Sequence, residues 1–166
     1  MLVFGQVNLK TYVPDDNFEN ILEFNGWGDG ITLNDSVNTL SVEMLMSLDV
    51  SNENISDLTG IEDFTSLLML KCYSNPLTSI DVSNNIYLTD LRCQSNQLTS
   101  LDVSQNTALK TLFCFSNFLT SLDVSSNTAL TELLCYGNLL TTLDVSANIA
   151  LTNLYCQSNQ LTSLDV

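Results

Sequence analysis

Five cysteines carry the most reactive side chains in this chain, and they recur at a fixed spacing. They lie at the same position of a 21-residue period, at Cys72, Cys93, Cys114, Cys135 and Cys156. On neighbouring parallel strands they would lie about 5 Å apart at Cα, but their parallel Cβ vectors suit a disulfide poorly. A column of five thiols also does not close the tetrahedron that zinc requires. We therefore expect the cysteines to pack as small hydrophobic side chains.

Aspartates form a second column with the same period. They lie at Asp81, Asp102, Asp123, Asp144 and Asp165, and Asp49 precedes them. Unit charges about 5 Å apart repel by roughly 0.8 kcal/mol in bulk water and by more near a protein surface. Two interpretations stay open: hydrogen bonds from nearby hydroxyl or N–H groups offset the repulsion, or the column weakly binds a cation such as calcium. The weak candidate cation ladder is Asp81, Asp102, Asp123 and Asp144; no other metal site and no cofactor is predicted.

The sequence lacks residues that most catalytic mechanisms need. The 166-residue chain contains no histidine, which removes the commonest general base and the commonest zinc ligand. The motifs G-x-x-x-x-G-K, G-x-G-x-x-G and G-x-S-x-G are also missing from the sequence. We therefore predict that the chain is not an enzyme.

The charge balance narrows the classes of partner. Nineteen acidic residues stand against four basic ones, for a net charge of −15, whereas nucleic acid binding needs a basic stripe. The same charge disfavours an anionic membrane surface, and no apolar run reaches the roughly 18 residues of a membrane span. Proteins, glycans or cations remain as partners, although solubility alone is the simplest explanation of the acidity.

The 21-residue period predicts the fold. Asparagines keep step with the cysteines at Asn75, Asn96, Asn117, Asn138 and Asn159. A fixed period of this length means a repeat solenoid, in which each repeat is one coil that contacts only its neighbours. Each repeat holds two short halves with alternating inward residues, such as Leu91-x-Cys93 and Leu101-x-Val103, and neither half has room for a helix.

The two halves are expected to build different sides of the coil. Leu48 belongs to an atypical coil over residues 45–66, and its spacing to Leu70 exceeds the regular period by a single position. The halves that contain cysteine therefore continue the strand column that begins in this coil. We predict a mainly β solenoid, with a parallel sheet of cysteine halves on its concave side and extended segments on its convex side.

Three zones are read along the chain. Residues 1–10 are interpreted as the remnant of a signal peptide or as residues added by cloning, 11–44 as an N-terminal cap, and 45–166 as the solenoid, with regular repeats from 67. In the cap, Asp15 or Asp16 is expected to begin a short helix with apolar residues at 18, 21, 22 and 24, and Gly26 to end it. The chain stops part-way through a repeat, so we expect a fragment of a longer protein.

These repeats resemble a known class of proteins. Their pattern is that of bacterial leucine-rich repeats with a 21-residue unit. The lead-in Thr11–Glu19 and segments such as Leu98–Ser104 are similar to those of exported or cell-surface, internalin-like proteins of Bacteroidetes-type bacteria. The resemblance covers about residues 11–166. It implies a secreted or cell-surface protein, often with a C-terminal sorting domain for the type IX secretion route, that acts in adhesion or protein binding.

The asparagine column is interpreted as structural. Its amides lie where the chain turns out of the strand, and they can bond backbone groups that would otherwise be unpaired there and in the next coil. Asn85, Asn106, Asn127 and Asn148 are expected to do the same at the opposite turn.

Comparison of one repeat with another points to a binding surface. Inward and turn positions hardly vary, whereas outward positions of the cysteine halves differ strongly. We define the aromatic face as Lys71, Tyr73, Arg92, Phe113, Phe115, Leu134, Tyr136 and Tyr155. Exposed aromatic residues beside arginine are typical of interface hot spots, and random drift at solvent-facing positions would favour polar residues. Lys71 and Arg92 are expected to give the N-terminal end of this face a positive character.

The sequence therefore predicts a ligand-binding module that recognises a protein or a glycan through its aromatic face. The alternative is a structural spacer, or a solenoid that self-associates end to end through its open C-terminal edge. Neither a nucleic acid partner nor membrane insertion is expected.

Overall fold

A computed structural model describes residues 9–165, so the interpretation of residues 1–8 lies outside the described part of the chain. The N-terminal region holds a short antiparallel pair, β1 (Lys10–Tyr12) and β2 (Ser36–Asn38), and two helices, α1 (Asp16–Phe24) and α2 (Thr39–Val42). Asp15 is the N-cap of α1, where its carboxylate accepts from the backbone N–H groups of Asn17 and Phe18. The left-handed φ of +77° at Gly26 follows the end of the helix.

The buried side of α1 packs on the first coil. Phe18 and Leu22 are fully buried, and the Phe18 ring stacks on that of Phe64 with centroids 6.0 Å apart. Phe24, which was expected to continue this stripe, is 87% exposed instead, because it lies in the last turn of the helix and points away from the solenoid. The predicted short helix is thus present, with a shorter apolar face.

Polar contacts and one glycine hold the N-terminal region against the first coil. The Asp15 carboxylate accepts from the backbone N–H of Ser56 at 2.8 Å, and the Thr11 hydroxyl donates to Asp63 at 2.7 Å. Gly60 has a φ of +103°, and a Cβ there would lie 2.6 Å from the Tyr12 carbonyl oxygen. Only glycine allows this close approach of the two backbones.

The solenoid is built on one long parallel sheet. Its six strands are β3 (Ser47–Asp49), β4 (Met69–Lys71), β5 (Asp90–Arg92), β6 (Thr111–Phe113), β7 (Glu132–Leu134) and β9 (Asn153–Tyr155). Leu48 pairs with Leu70, and every later pair, beginning with Leu70 and Leu91, keeps the regular 21-residue step. The predicted solenoid, with the cysteine halves on its main sheet, is therefore confirmed.

The other side of each coil is extended, as predicted, but forms a regular sheet only near its end. There β8 (Thr142–Asp144) pairs in parallel with β10 (Ser163–Asp165). In the atypical coil this side instead carries a single turn of 3₁₀ helix at Ile61–Asp63.

The core is a set of columns that run through the coils. The central leucine of each strand from β3 to β7 is fully buried, and so are Cys72, Cys93, Cys114 and Cys135. All five cysteines are free thiols, and Cys156 is only partly buried. Burial raises the pKa of Cys93 and of Cys135 to about 12. The expected hydrophobic role agrees with this burial, which is the largest cause of the raised pKa.

The first asparagine column binds each coil to the one before it. The Asn117 amide nitrogen donates to the carbonyls of Cys93 and Cys114 at 3.0 and 3.1 Å, and its oxygen accepts from the Leu98 N–H at 3.0 Å. Asn96, Asn138 and Asn159 repeat these bonds in their own coils, and Asn75 donates to the equivalent carbonyls of Val50 and Cys72. These buried backbone groups have no strand partner, so the side chains supply their hydrogen bonds.

In the second asparagine column, only the amide nitrogens make hydrogen bonds to the preceding coil within residues 9–165. Asn106 donates to the carbonyls of Val82 and Asn85 in the preceding coil at 2.9 and 3.0 Å. Asn127 and Asn148 do the same one and two coils later. The amide oxygens of Asn85, Asn106, Asn127 and Asn148 have no donor within residues 9–165. The expected coil-to-coil bonds are thus made by the nitrogens alone.

Replacing Asn117 by alanine should lower the free energy of unfolding by about 2–3 kcal/mol. The substitution leaves the buried Leu98 N–H without an acceptor, whereas both cysteine carbonyls keep a bond to a neighbouring asparagine. Denaturant unfolding followed by circular dichroism measures the change. Asn153→Ala, on the exposed surface, is the matched control and should change stability by no more than about 0.5 kcal/mol. Equal effects of the two substitutions would contradict the role of the column.

The thiols should differ in reactivity. We expect Cys156 to react quickly with Ellman's reagent in the folded chain, and the four buried thiols to react only after denaturation, because burial raises their pKa and blocks access. Cys156→Ser should remove the fast reaction. Fast reaction of several thiols in the folded state would contradict the buried column.

Candidate functional site

The aromatic face lies on the outer side of the main sheet. Lys71, Arg92, Phe113, Leu134 and Tyr155 are register partners across strands β4, β5, β6, β7 and β9. Tyr73, Phe115 and Tyr136 each lie two residues further along their coils. All eight side chains reach solvent; Tyr155 is half exposed, and the other seven, which were expected to be exposed, are partly buried by their neighbours. The alternation of the strand places them outward because the cysteine between the two positions points into the core.

Four of these side chains form one continuous set of contacts. The Arg92 guanidinium lies 4.9 Å from the centroid of the Phe113 ring. Phe113 meets Phe115 with centroids 6.5 Å apart, and Phe115 stacks on Tyr136 at 4.4 Å with only 10° between the ring planes. Such pairs stabilise their arrangement beyond simple burial. Tyr73 and Tyr155 have no ring partner within residues 9–165.

The two basic residues of the face are neutralised by neighbours. Arg92 donates two hydrogen bonds of 3.0 Å to the Asp90 carboxylate, which raise the pKa of Arg92. Lys71 lies 3.4 Å from the carboxylate of Asp49. The prediction that the N-terminal end of the aromatic face is positive is therefore wrong. Asp49 and Asp90 lie on the same sheet beside the two basic residues and neutralise their charges.

Phe118 and Leu139 are exposed apolar residues that the sequence reasoning missed. They are 51% and 39% exposed, and each directly follows an asparagine of the first column. The signal was available, since this position varies between repeats as strongly as the face does. It reads Pro76, Gln97, Phe118, Leu139 and Gln160.

The carboxylates of the aspartate column make local hydrogen bonds. Asp81, Asp102, Asp123 and Asp144 each accept from the backbone N–H of the serine two residues later, at 2.8–2.9 Å. The serine hydroxyl and N–H lower the pKa of every one of these carboxyls. These bonds agree with the first interpretation of the column, and weak cation binding stays a prediction.

One carboxylate cluster within residues 9–165 has the dimensions of a metal site, and it lies in the N-terminal region rather than in the aspartate column. Asp16, Glu19 and Asp35 bring oxygens within 4.8 Å of one another. The buried Glu19, however, accepts from the backbone N–H groups of Asn34 and Asp35, both at 3.0 Å. Its oxygens hold the loop before β2, so the cluster has a structural explanation.

Comparison with known proteins finds relatives among the bacterial internalins, one of which also has a cysteine ladder. Internalin J of Listeria monocytogenes is 44% identical over 80 residues, which are 47% of this chain and 8% of that protein. The solved functional domain of Listeria InlJ, described as including a cysteine ladder, is 43% identical with a TM-score of 0.84. It matches 96% of this chain, which spans 36% of its length. The chain is a leucine-rich repeat solenoid similar to the bacterial internalins.

Other comparisons agree on the fold but do not narrow the source of the chain. A leucine-rich repeat protein of Leptospira interrogans is 26% identical with a TM-score of 0.68, over 76% of this chain and 35% of that one. No family model matches the sequence. The relatives support the internalin-like part of the expected resemblance but not its Bacteroidetes-type part. Within residues 9–165, every helix is too short or too polar to cross a bilayer.

The aspartate column should contribute to stability in a pH-dependent way. Each folded carboxyl has a pKa below its ordinary 3.8, so its contribution is present above that pH and is lost as the pH falls through the folded pKa. A quadruple variant with asparagine at 81, 102, 123 and 144 keeps an acceptor oxygen but does not titrate. We expect the stability of the natural chain minus that of the variant to decrease as the pH falls below about 4.

Thermal unfolding of both proteins from neutral to acidic pH, at constant ionic strength, measures this difference. Subtracting the variant removes the contribution of the other acidic residues, which titrate in both proteins. A difference that stays constant or grows at low pH would show that the serine bonds do not favour the charged carboxylates.

Proposed function

We propose that the chain is a non-catalytic ligand-binding module of an exported bacterial surface protein, and that it acts in recognition or adhesion through its aromatic face. The single observation that carries this proposal is the contact chain Arg92–Phe113–Phe115–Tyr136 on the solvent side of the main sheet. Binding sites draw most of their affinity from a few aromatic and arginine side chains, and here these side chains are held in place before a partner arrives.

The orientation of the rings favours a protein over a glycan. Phe115 and Tyr136 lie in adjacent coils, and their rings are parallel at 4.4 Å, so the stack turns ring faces toward neighbouring coils and ring edges toward solvent. One face of Phe113 is covered by Arg92. A sugar ring packs flat on an exposed aromatic face, whereas the apolar and aromatic groups of a protein also pack against ring edges.

Export and a surface location are parts of the same proposal. They are supported by the similarity to internalins, and the chain spans only a small share of Internalin J. A Bacteroidetes-type source rests on the lead-in and the repeat pattern alone. The absence of histidine from the whole sequence supports a non-catalytic role.

The test is binding of the chain to arrays of extracellular proteins and of glycans. A triple variant, Phe113→Ser, Phe115→Ser and Tyr136→Ser, removes the ring contacts but leaves the leucine and cysteine columns intact. We expect protein ligands to bind the natural chain and to lose affinity for the variant by about tenfold or more. Unchanged circular dichroism would show that the variant still folds.

Ile149→Ser is the matched control, because Ile149 is 92% exposed and lies at the opposite turn of its coil. It should leave binding unchanged. Glycan binding that depends on the aromatic face would overturn the preference for protein. No binding by the natural chain, or equal binding by the triple variant, would favour a spacer.

A further inference from the structure

An uncharged apolar strip crosses the middle of the solenoid and extends beyond the aromatic face. Phe118 and Leu139 stand three residues after Phe115 and Tyr136, and their backbone N–H groups donate to the preceding coils at 2.8 and 2.9 Å. They therefore occupy equivalent positions in adjacent coils. We define the apolar strip as Phe113, Phe115, Phe118, Leu134, Tyr136 and Leu139. Residues 111–122 and 133–143, which contain it, include no charged side chain.

Acidic residues flank the strip along the sequence. Glu132 begins strand β7, and its charge helps to raise the pKa of Arg92. Asp123 and Asp144 follow the two uncharged segments, on the side of the coil opposite the main sheet, and both are exposed. Each of these two carboxylates accepts from the serine two residues later, and these bonds favour its charged form.

The chain has almost no free positive charge to balance these acids. Three of its four basic residues form ion pairs, in which Lys10 contacts Asp29, Lys71 contacts Asp49 and Arg92 contacts Asp90. Lys110 is the fourth, and it makes no ion pair within residues 9–165. The net charge of −15 therefore acts on any approaching molecule without a compensating basic patch.

We infer that the partner is a protein segment of net positive charge, which packs apolar side chains on the apolar strip and sets lysine or arginine against Glu132 beside the strip and against Asp123 and Asp144 where the segment continues round the coil. This inference rests on the proposed function and specifies its ligand. Complementary charge guides the encounter and selects among partners, while the desolvated apolar contact provides most of the affinity.

Selection from a phage-displayed library of random peptides tests the inference on the whole chain. Enriched peptides are synthesised, and their affinities are measured for the natural chain and four variants. Phe118→Ser with Leu139→Ser removes the part of the strip that lies beyond the aromatic face. Asp123→Asn with Asp144→Asn removes two negative charges but keeps an acceptor oxygen for each serine bond. Phe115→Ser with Tyr136→Ser tests the proposed function itself. Ile149→Ser is again the control.

The expected peptides carry a net positive charge and apolar side chains. Their affinity should fall by about tenfold or more with either apolar double variant, and by a smaller factor with the aspartate double variant. It should also fall between about 50 mM and 0.5 M salt, because screening weakens exposed charge pairs. Ile149→Ser should change nothing, which separates the strip from nonspecific attraction to an acidic protein.

Two kinds of failure are distinguishable. Peptides that depend on Phe115 and Tyr136 but are neutral or acidic, or that ignore Phe118 and Leu139, would overturn this inference and leave the proposed function standing. Absence of enriched peptides, or enrichment that is insensitive to every apolar variant, would overturn both.

Discussion

The hydrogen bonding of buried turns is the constraint on which the rest of the structure depends. A coil without helices turns twice within each repeat, and each turn leaves backbone groups inside the protein without a strand partner. Asn117 and its equivalents bond those groups in their own coil and in the preceding one. Because these bonds close only when one coil lies directly above the next, they impose the register of the repeats. The leucine and cysteine columns of the core follow from that register.

Repetition made most of the fold predictable from sequence. Leucine and cysteine alternate with polar residues at a period that only stacked strands satisfy, and the spacing between Leu48 and Leu70 identified the half that forms the main sheet. The sequence also placed the aromatic side chains on one face. It did not reveal that Asp90 holds Arg92, since the direction of a long side chain depends on its neighbours on the sheet. Phe118 escapes prediction because it directly follows the repeated Asn117, in a turn whose other positions hardly vary.

Ion pairing changes the surface charge that the sequence suggests for the aromatic face. Counted along the sequence, Lys71 and Arg92 suggest a positive end on the face. In the folded chain their charges are directed at Asp49 and Asp90, and Arg92 also lies over an aromatic ring. Arg92 is therefore held as part of a surface rather than free to reach a distant anion. The acidic excess is left to the whole molecule, where it acts over longer distances than any single contact.

The aromatic residues are not required by the coil that carries them. Gln94, Phe115 and Tyr136 occupy one position in three successive coils, and the next residue in each coil donates to the following coil at the same 3.0 Å. The backbone hydrogen bond thus forms equally well whether this position holds a glutamine or an aromatic ring. Stacked rings at such a position leave apolar surface in water, although the backbone bonds of the coil do not require them. A partner that covered the rings would remove this apolar surface from water, which favours the proposed binding role over a spacer.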